Sequence, residues 1–344
     1  MPDRASAARA AKLINEALVW DAHAGFEYSA NRDLSQIQRW RDVGFDYLSL
    51  NVGYDVMPWT DTIAALANYR HWLAANSDGF LLANTADDVR RAKTGGKLAV
   101  TFDIEGMCSL NEDPAMVAFY YDLGVRQMNF AYNLNNAAGG GCHDEDIGLT
   151  DFGRAVVAEM NRVGMIVDCS HNAYRTTMEA MELSSAPVIF SHSNARRLCD
   201  HERNILDDQI KACAATGGVV GINGIHWFLD VDAPGIDALV AHIDYMVDLI
   251  GPAAVGLGLD YVLPDSTLFD ALTVNKNFWP DRQYAMRRKS AYLPPEILPE
   301  VTEKLRLLDV SSGISTVNTE LNYRLRGEQF CGGEFDGDDG ITSA

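Results

Sequence analysis

The chain has 344 residues, with 28 basic against 48 acidic side chains, so its formal charge is −20. That balance excludes nucleic acid as a partner, because binding a polyanion needs a basic face. Hydrophobic residues at 47% and charged residues at 22% are ordinary globular values and exclude wholesale disorder.

The first stretch, Met1–Leu18, mixes basic residues with alanines and reads as an amphipathic helix; it lacks the apolar core and cleavage site of a secretory leader. Beyond it, short apolar runs alternate with helically patterned segments. The runs are Ala17–Asp21, Tyr47–Val52, Leu98–Ile104, Gln127–Ala131, Met165–Asp168, Pro187–Phe190, Gly218–Ile222 and Ala254–Gly258. Continuous apolar runs of this kind fit strands buried on both faces. Helical periodicity fills Asp61–Asn76, Asp113–Leu123 (before Gly124), Thr150–Arg162 (before Gly164), Tyr174–Leu183, Asp207–Ala215 and Asp237–Ile250 (before Gly251). Eight strand–helix units predict a parallel (β/α)8 TIM barrel, a single domain over 1–333. No GxGxxG follows the first strand, which weakens a dinucleotide-binding reading. Leu263–Pro295, rich in aromatic and basic residues, is placed to form a lid over the mouth, and Glu334–Ala344 is an acidic, glycine-rich tail expected to be disordered. No apolar run approaches the ~20 residues of a membrane span. The six cysteines, with no CxxC pair, read as reduced thiols in a cytoplasmic protein.

Chemistry in such a barrel sits at the C-terminal ends of the strands. There the sequence places His23, Glu105, Tyr132-Asn133, His171, His192 and Asp260. A lone histidine at a strand end is more often a hydrogen-bonded structural residue than a ligand, and a lone carboxylate is more often a helix cap or ion-pair partner. Imidazoles and carboxylates gathered on one rim are instead the ligand set of zinc or a similar divalent ion.

Phe102–Gly106 (FDIEG), Leu149–Ser170 with His171, Ala186–Ser193 (APVIFSHS), Arg203-Asn204 and Val255–Asp260 (VGLGLD) carry a specific likeness. From about Val19 to Asp260 the chain resembles the membrane (renal) dipeptidase family of zinc peptidases, within the amidohydrolase superfamily. The resemblance implies a metal-dependent hydrolase of a small amide, a dipeptide or N-acyl amino acid, using one or two Zn2+ ions. By it, Glu105 bridges two metals, His171 and His192 ligate one, and His23 ligates the other. Asp260 becomes the acid/base, and Arg203 holds the substrate's free carboxylate; a surface pairing of Arg203 with Asp200 or Asp207 is the plainer alternative. Tyr132 and Asn133 fall on the substrate side. The family expectation for assembly is a homodimer.

Two positions depart from that pattern. The family's first motif is His-x-Asp, and here Gly25 stands where the aspartate belongs, which weakens the first metal site. Tyr132 stands where the family commonly has a histidine. Cys142, His143 and His226 are candidates for compensation. These departures leave room for a mono-metal lyase or isomerase acting on a small carboxylated metabolite, or for a non-catalytic ligand-binding descendant.

Overall fold

The structure is a computed structural model and describes residues 4–25, 33–230, 235–262, 274–284 and 292–307. The acidic tail and much of the expected lid lie outside the described residues. Among the described residues there are nine strands: β1 (Trp20–Ala24), β2 (Tyr47–Tyr54), β3 (Phe80–Leu82), β4 (Leu98–Glu105), β5 (Val125–Asn129), β6 (Ile166–Asp168), β7 (Val188–Ile189), β8 (Val220–Ile222) and β9 (Val255–Leu257). The helices are α1 (Arg4–Glu16), α2 (Gln38–Val43), α3 (Trp59–Ala75), α4 (Ala86–Thr94), α5 (Met116–Asp122) and α6 (Asp151–Val163), followed by α7 (Tyr174–Leu183), α8 (Asp207–Ala215), α9 (His226–Leu229), α10 (Ile236–Ile250), α11 (Asp281–Tyr284) and α12 (Leu298–Leu307).

The strands run parallel in the order β1-β2-β4-β5-β6-β7, with β8 and β9 paired separately. A parallel bridge from Phe190 to Val220 carries β7 onto β8. The Asp260 amide donates to the His23 carbonyl at 3.0 Å, and the Leu259 amide donates to Asp21 Oδ1 at 2.9 Å, which joins the end of β9 to β1. The sheet therefore closes on itself as the expected barrel. The short β3 is an addition that the sequence reading missed. It pairs with the first half of β4 at residues 98–100, while β5 takes over from Phe102 onward.

Burial explains the strand composition. Every residue of β4 is buried, as are seven of the eight in β2, so both sheet faces must be apolar or internally paired. The helices obey their end signals. Thr150 caps α6 by accepting from the Gly153 amide at 3.1 Å, and Gly164 ends it at φ +82°. The amphipathic α1 packs on α12 outside the barrel. All five described cysteines are free.

Candidate functional site

His23 lies inside β1 and Glu105 is the last residue of β4, while His171, His192 and Asp260 each follow the end of a strand by three residues. This puts all five on the C-terminal rim. His171 Nε2 and His192 Nε2 are 3.0 Å apart, and both face Glu105 Oε1, at 2.9 and 3.2 Å respectively. His23 Nε2 completes the bowl, 3.8 Å from Glu105 Oε1 and 3.5 Å from Asp260 Oδ1. The His23 and His192 rings stack at 4.0 Å. Backbone strain concentrates here: Asn133, His171 and Asp260 take left-handed φ values of +63°, +67° and +52°, conformations that cost a non-glycine residue ~1 kcal/mol or more.

The far side of each imidazole fixes which nitrogen faces the bowl. His171 Nδ1 lies 2.7 Å from Asn133 Oδ1, and Asn133 is itself oriented by donating from Nδ2 to the Phe278 carbonyl. His192 Nδ1 lies 2.7 Å from Ser191 Oγ, whose hydroxyl donates to Asp168 Oδ2 at 2.5 Å. His23 Nδ1 lies 3.0 Å from Asp103 Oδ1. For His171 and His192 the acceptor holds the Nδ1 hydrogen, so Nε2 presents a lone pair inward. Glu105 Oε1 is buried and has no hydrogen-bond partner. Two nitrogen lone pairs and an unpaired carboxylate oxygen crowded within 3.2 Å repel one another unless a cation lies among them. The donor set therefore fits a divalent metal.

Burial dominates the electrostatics. It raises the Glu105 carboxyl to about 8; His23 pulls the other way, and Asp260 and Asp103 add to the rise. It also raises Asp260, against His23 and Arg203, and holds His171 and His192 well below the usual imidazole value, with Arg203 contributing. Burial opposes charge on His23 too, but Asp103 and Glu105 outweigh it and raise that imidazole well above its usual value. Asp260 keeps its place through the Asn223 amide, which donates to Oδ2 at 2.9 Å.

Arg203 is 2% exposed and pairs with neither aspartate that might have claimed it: Asp200 bonds Arg196, and Asp207 accepts from Tyr245. Its Nη2 donates to the His192 carbonyl at 3.2 Å, its guanidinium lies 5.3 Å from the Phe228 ring centre, and its Nε has no partner. Together with His171 and Cys142 it lines a cavity of about 200 Å³ beside the bowl. A buried guanidinium without a carboxylate partner is suited to an anionic group of a ligand.

Aromatic rings wall the mouth. Tyr132 stacks on His171 at 4.3 Å and packs with Tyr54, Phe278 and Trp279. Residues 274–284, part of the expected lid, sit here. It is tied down by Asn133, by Tyr284 OH 2.9 Å from His143 Nε2, and by Arg282 donating to Glu202 at 3.0 Å. Asp55 fastens three loops, accepting from the Cys108 and Tyr132 amides and the Asn136 side chain. Gly106 makes this possible, because at φ +91° a Cβ would lie 2.1 Å from the Asp55 carboxyl carbon.

Some expectations need correction. Asn133 is fully buried with both ends of its side chain engaged, Oδ1 on His171 and Nδ2 on the Phe278 carbonyl, so it orients His171. Cys142 and His143 join neither candidate metal group among the described residues. The Cys142 thiol is pushed up to about 12 by burial, and His143 is spent on Glu202 and Tyr284. His226 opens α9 and likewise belongs to neither group. Gly25 contributes no ligand; a Cβ there would lie 3.7 Å from Asp260 Oδ1. The sequence reading passed over Asp103, Ser191, Asp168 and Asn223, which hold the rim residues. Asp103 carried a usable signal, since residues two apart on a strand share a face and Asp103 precedes Glu105 by two.

A closed parallel barrel with imidazoles and carboxylates converging on its C-terminal rim defines a metal-site barrel of the amidohydrolase type. The chain belongs to the membrane dipeptidase family (peptidase family M19), whose sequence model matches residues 8–273. It is 34% identical over 212 residues to an uncharacterized dipeptidase of Schizosaccharomyces pombe, covering 58% of this chain and 50% of that one. It is also 34% identical over 191 residues to the dipeptidase verJ of Clonostachys rogersoniana, covering 54% and 48%. The chain thus spans about half the length of the curated relatives it matches. Among solved structures, an amidohydrolase from Pseudomonas aeruginosa superposes with a TM-score of 0.81 at 26% identity, over 93% of this chain and 99% of that one. The dipeptidase AC, a metallopeptidase of family M19, gives 0.71 at 20% identity over 91% and 99%, a likeness of fold.

Proposed function

We propose that this chain is a metal-dependent hydrolase of a small amide bond, with a dipeptide or N-acyl amino acid bearing a free carboxylate as substrate. The observation that carries the reading is the meeting of His171 Nε2, His192 Nε2 and the unpartnered Glu105 Oε1 within 3.2 Å, each imidazole backed by an acceptor. These three residues would hold the ion, with zinc the metal best matched to two nitrogens and a carboxylate. When bound, a divalent ion polarises the scissile carbonyl and makes water a competent nucleophile near neutral pH.

The remaining chemistry belongs to the chain. Asp260 Oδ1 faces the bowl beside His23, placed to take a proton from the attacking water and pass it to the leaving amine as the C–N bond breaks. Arg203 offers its unpaired Nε to the substrate carboxylate. The Tyr132 ring, stacked on His171, walls the pocket and keeps bulk water away from the reacting bond. Among the described residues no helix is long and apolar enough to cross a membrane.

A panel of dipeptides and N-acyl amino acids tests the proposal. Turnover is expected from zinc-loaded protein, lost on chelation and restored by added Zn2+. No hydrolysis by loaded protein, or hydrolysis indifferent to chelation, overturns it. Arg203→Ala should raise KM for carboxylated substrates by ~10-fold or more with a smaller effect on kcat, and an unchanged KM would remove the role given to Arg203.

A further inference from the structure

Two donor sets overlap in the bowl: Glu105, His171 and His192 form one, and His23, His192 and Asp260 form the other. His192 belongs to both, but it has one lone pair to give, because its Nδ1 is taken by Ser191. The two sets cannot both be completed through it. Glu105 turns its orphaned oxygen, Oε1, toward His171 and His192, while Oε2 accepts the Asn51 amide at 3.3 Å.

Charge leads to the same count. Asp103, Glu105 and Asp260, with side chains no more than 13% exposed, surround His23, and with the buried Arg203 guanidinium they carry at most two net negative charges. One dication neutralises them. A second would leave two positive charges buried, at a cost that a site without further carboxylates does not repay. Gly25, beside Asp260, adds no such carboxylate.

The orphaned oxygen decides which set is filled. The first has separations of 2.9 to 3.2 Å and contains the orphaned oxygen. In the second, His23 Nε2 stands 3.5 Å from Asp260 Oδ1, and Asp260 already spends Oδ2 on Asn223. Building on the metallohydrolase reading above, we propose that the centre is mononuclear: Glu105, His171 and His192 hold a single ion, and His23 with Asp260 forms a metal-free pair. That pair, backed by Asp103, positions and relays the proton of the attacking water.

The test is metal stoichiometry, independent of turnover. Chelator-stripped full-length protein is titrated with Zn2+ and its bound metal measured by elemental analysis, and Mn2+ loading is followed by electron paramagnetic resonance. One equivalent per chain and the spectrum of isolated Mn2+ at saturation are expected. His23→Ala should still bind one equivalent, with affinity lowered by about tenfold or less, the scale of an outer-shell contact. His171→Ala should lose more than a thousandfold. Two equivalents of similar affinity, exchange-coupled Mn2+, or a His23→Ala loss as large as that of His171→Ala overturns the single-ion centre and leaves the hydrolase reading standing. Absence of any tight ion in the wild type sinks both. The wild-type spectrum decides the count even where a variant fails to fold.

Discussion

At the scale of single residues, the site depends less on its ligand atoms than on what stands behind them. His171 could present either nitrogen to the bowl; the Asn133 carbonyl oxygen, 2.7 Å from Nδ1, settles the tautomer, and the Phe278 carbonyl settles the Asn133 amide. Asn133→Ala should therefore weaken metal binding by ~10- to 100-fold while the barrel stays folded, as titration calorimetry with Zn2+ and circular dichroism would show. Unchanged affinity would mean that His171 is oriented by packing alone. The rim residues themselves were legible in the sequence, because a histidine or carboxylate just past an apolar run lands on the rim. Their supports were not. Ser191 and Asp168 look like ordinary polar residues until folding brings the ends of β6 and β7 together, and Asn133 lies 38 residues from the imidazole it holds. Arg203 was legible as a residue type only; its freedom from Asp200 and Asp207 is a fact of three dimensions.

At the scale of elements, the apolar runs marked eight of the nine strands, with ends displaced by a few residues. His23 is an example: the run Ala17–Asp21 places it after the strand, whereas pairing with β2 shifts β1 to Trp20–Ala24 and puts His23 within it. Pairing, not hydrophobicity, sets where a strand stops. β3 was missed because Phe80–Leu82 is three residues long and borrows an edge of β4 that β5 leaves vacant. The loops are held by one half-buried acid, since Asp55 receives donors from the turns after β4 and β5. Gly106→Ala would drive a methyl group into that carboxyl at a positive φ. It should cost ~2 kcal/mol or more, read as a lower midpoint in denaturant unfolding. A neutral substitution would show that Asp55 is free to move.

At the scale of the whole molecule, closure of the barrel brings residue 23 against residue 260, and no local pattern announces that contact. The sequence carried the alternation that makes a barrel the economical solution, and the fold then assembled five rim residues from five separate stretches of chain. The segment over the mouth is fastened through Glu202, which accepts from Arg282 and pairs with His143. Its carboxyl is held at about 2, below the ordinary 4.5, by the His143 hydrogen bond first and by Arg282 after it. A depressed native pKa means that this stabilisation is present above pH 4.5 and is lost as pH falls toward 2. Glu202→Gln should accordingly be less stable at neutral pH and show a flatter fall in Tm across that acid window than the wild type. Parallel curves for the two proteins would deny Glu202 its fastening role.

The proposed hydrolase rests on a divalent cation held between His171, His192 and Glu105. Anomalous diffraction at the zinc edge from crystals grown with Zn2+ tests it most directly. One strong peak is expected about 2.0–2.2 Å from both Nε2 atoms and from Glu105 Oε1. A map with no peak at that point, or with its peak elsewhere on the chain, would contradict it.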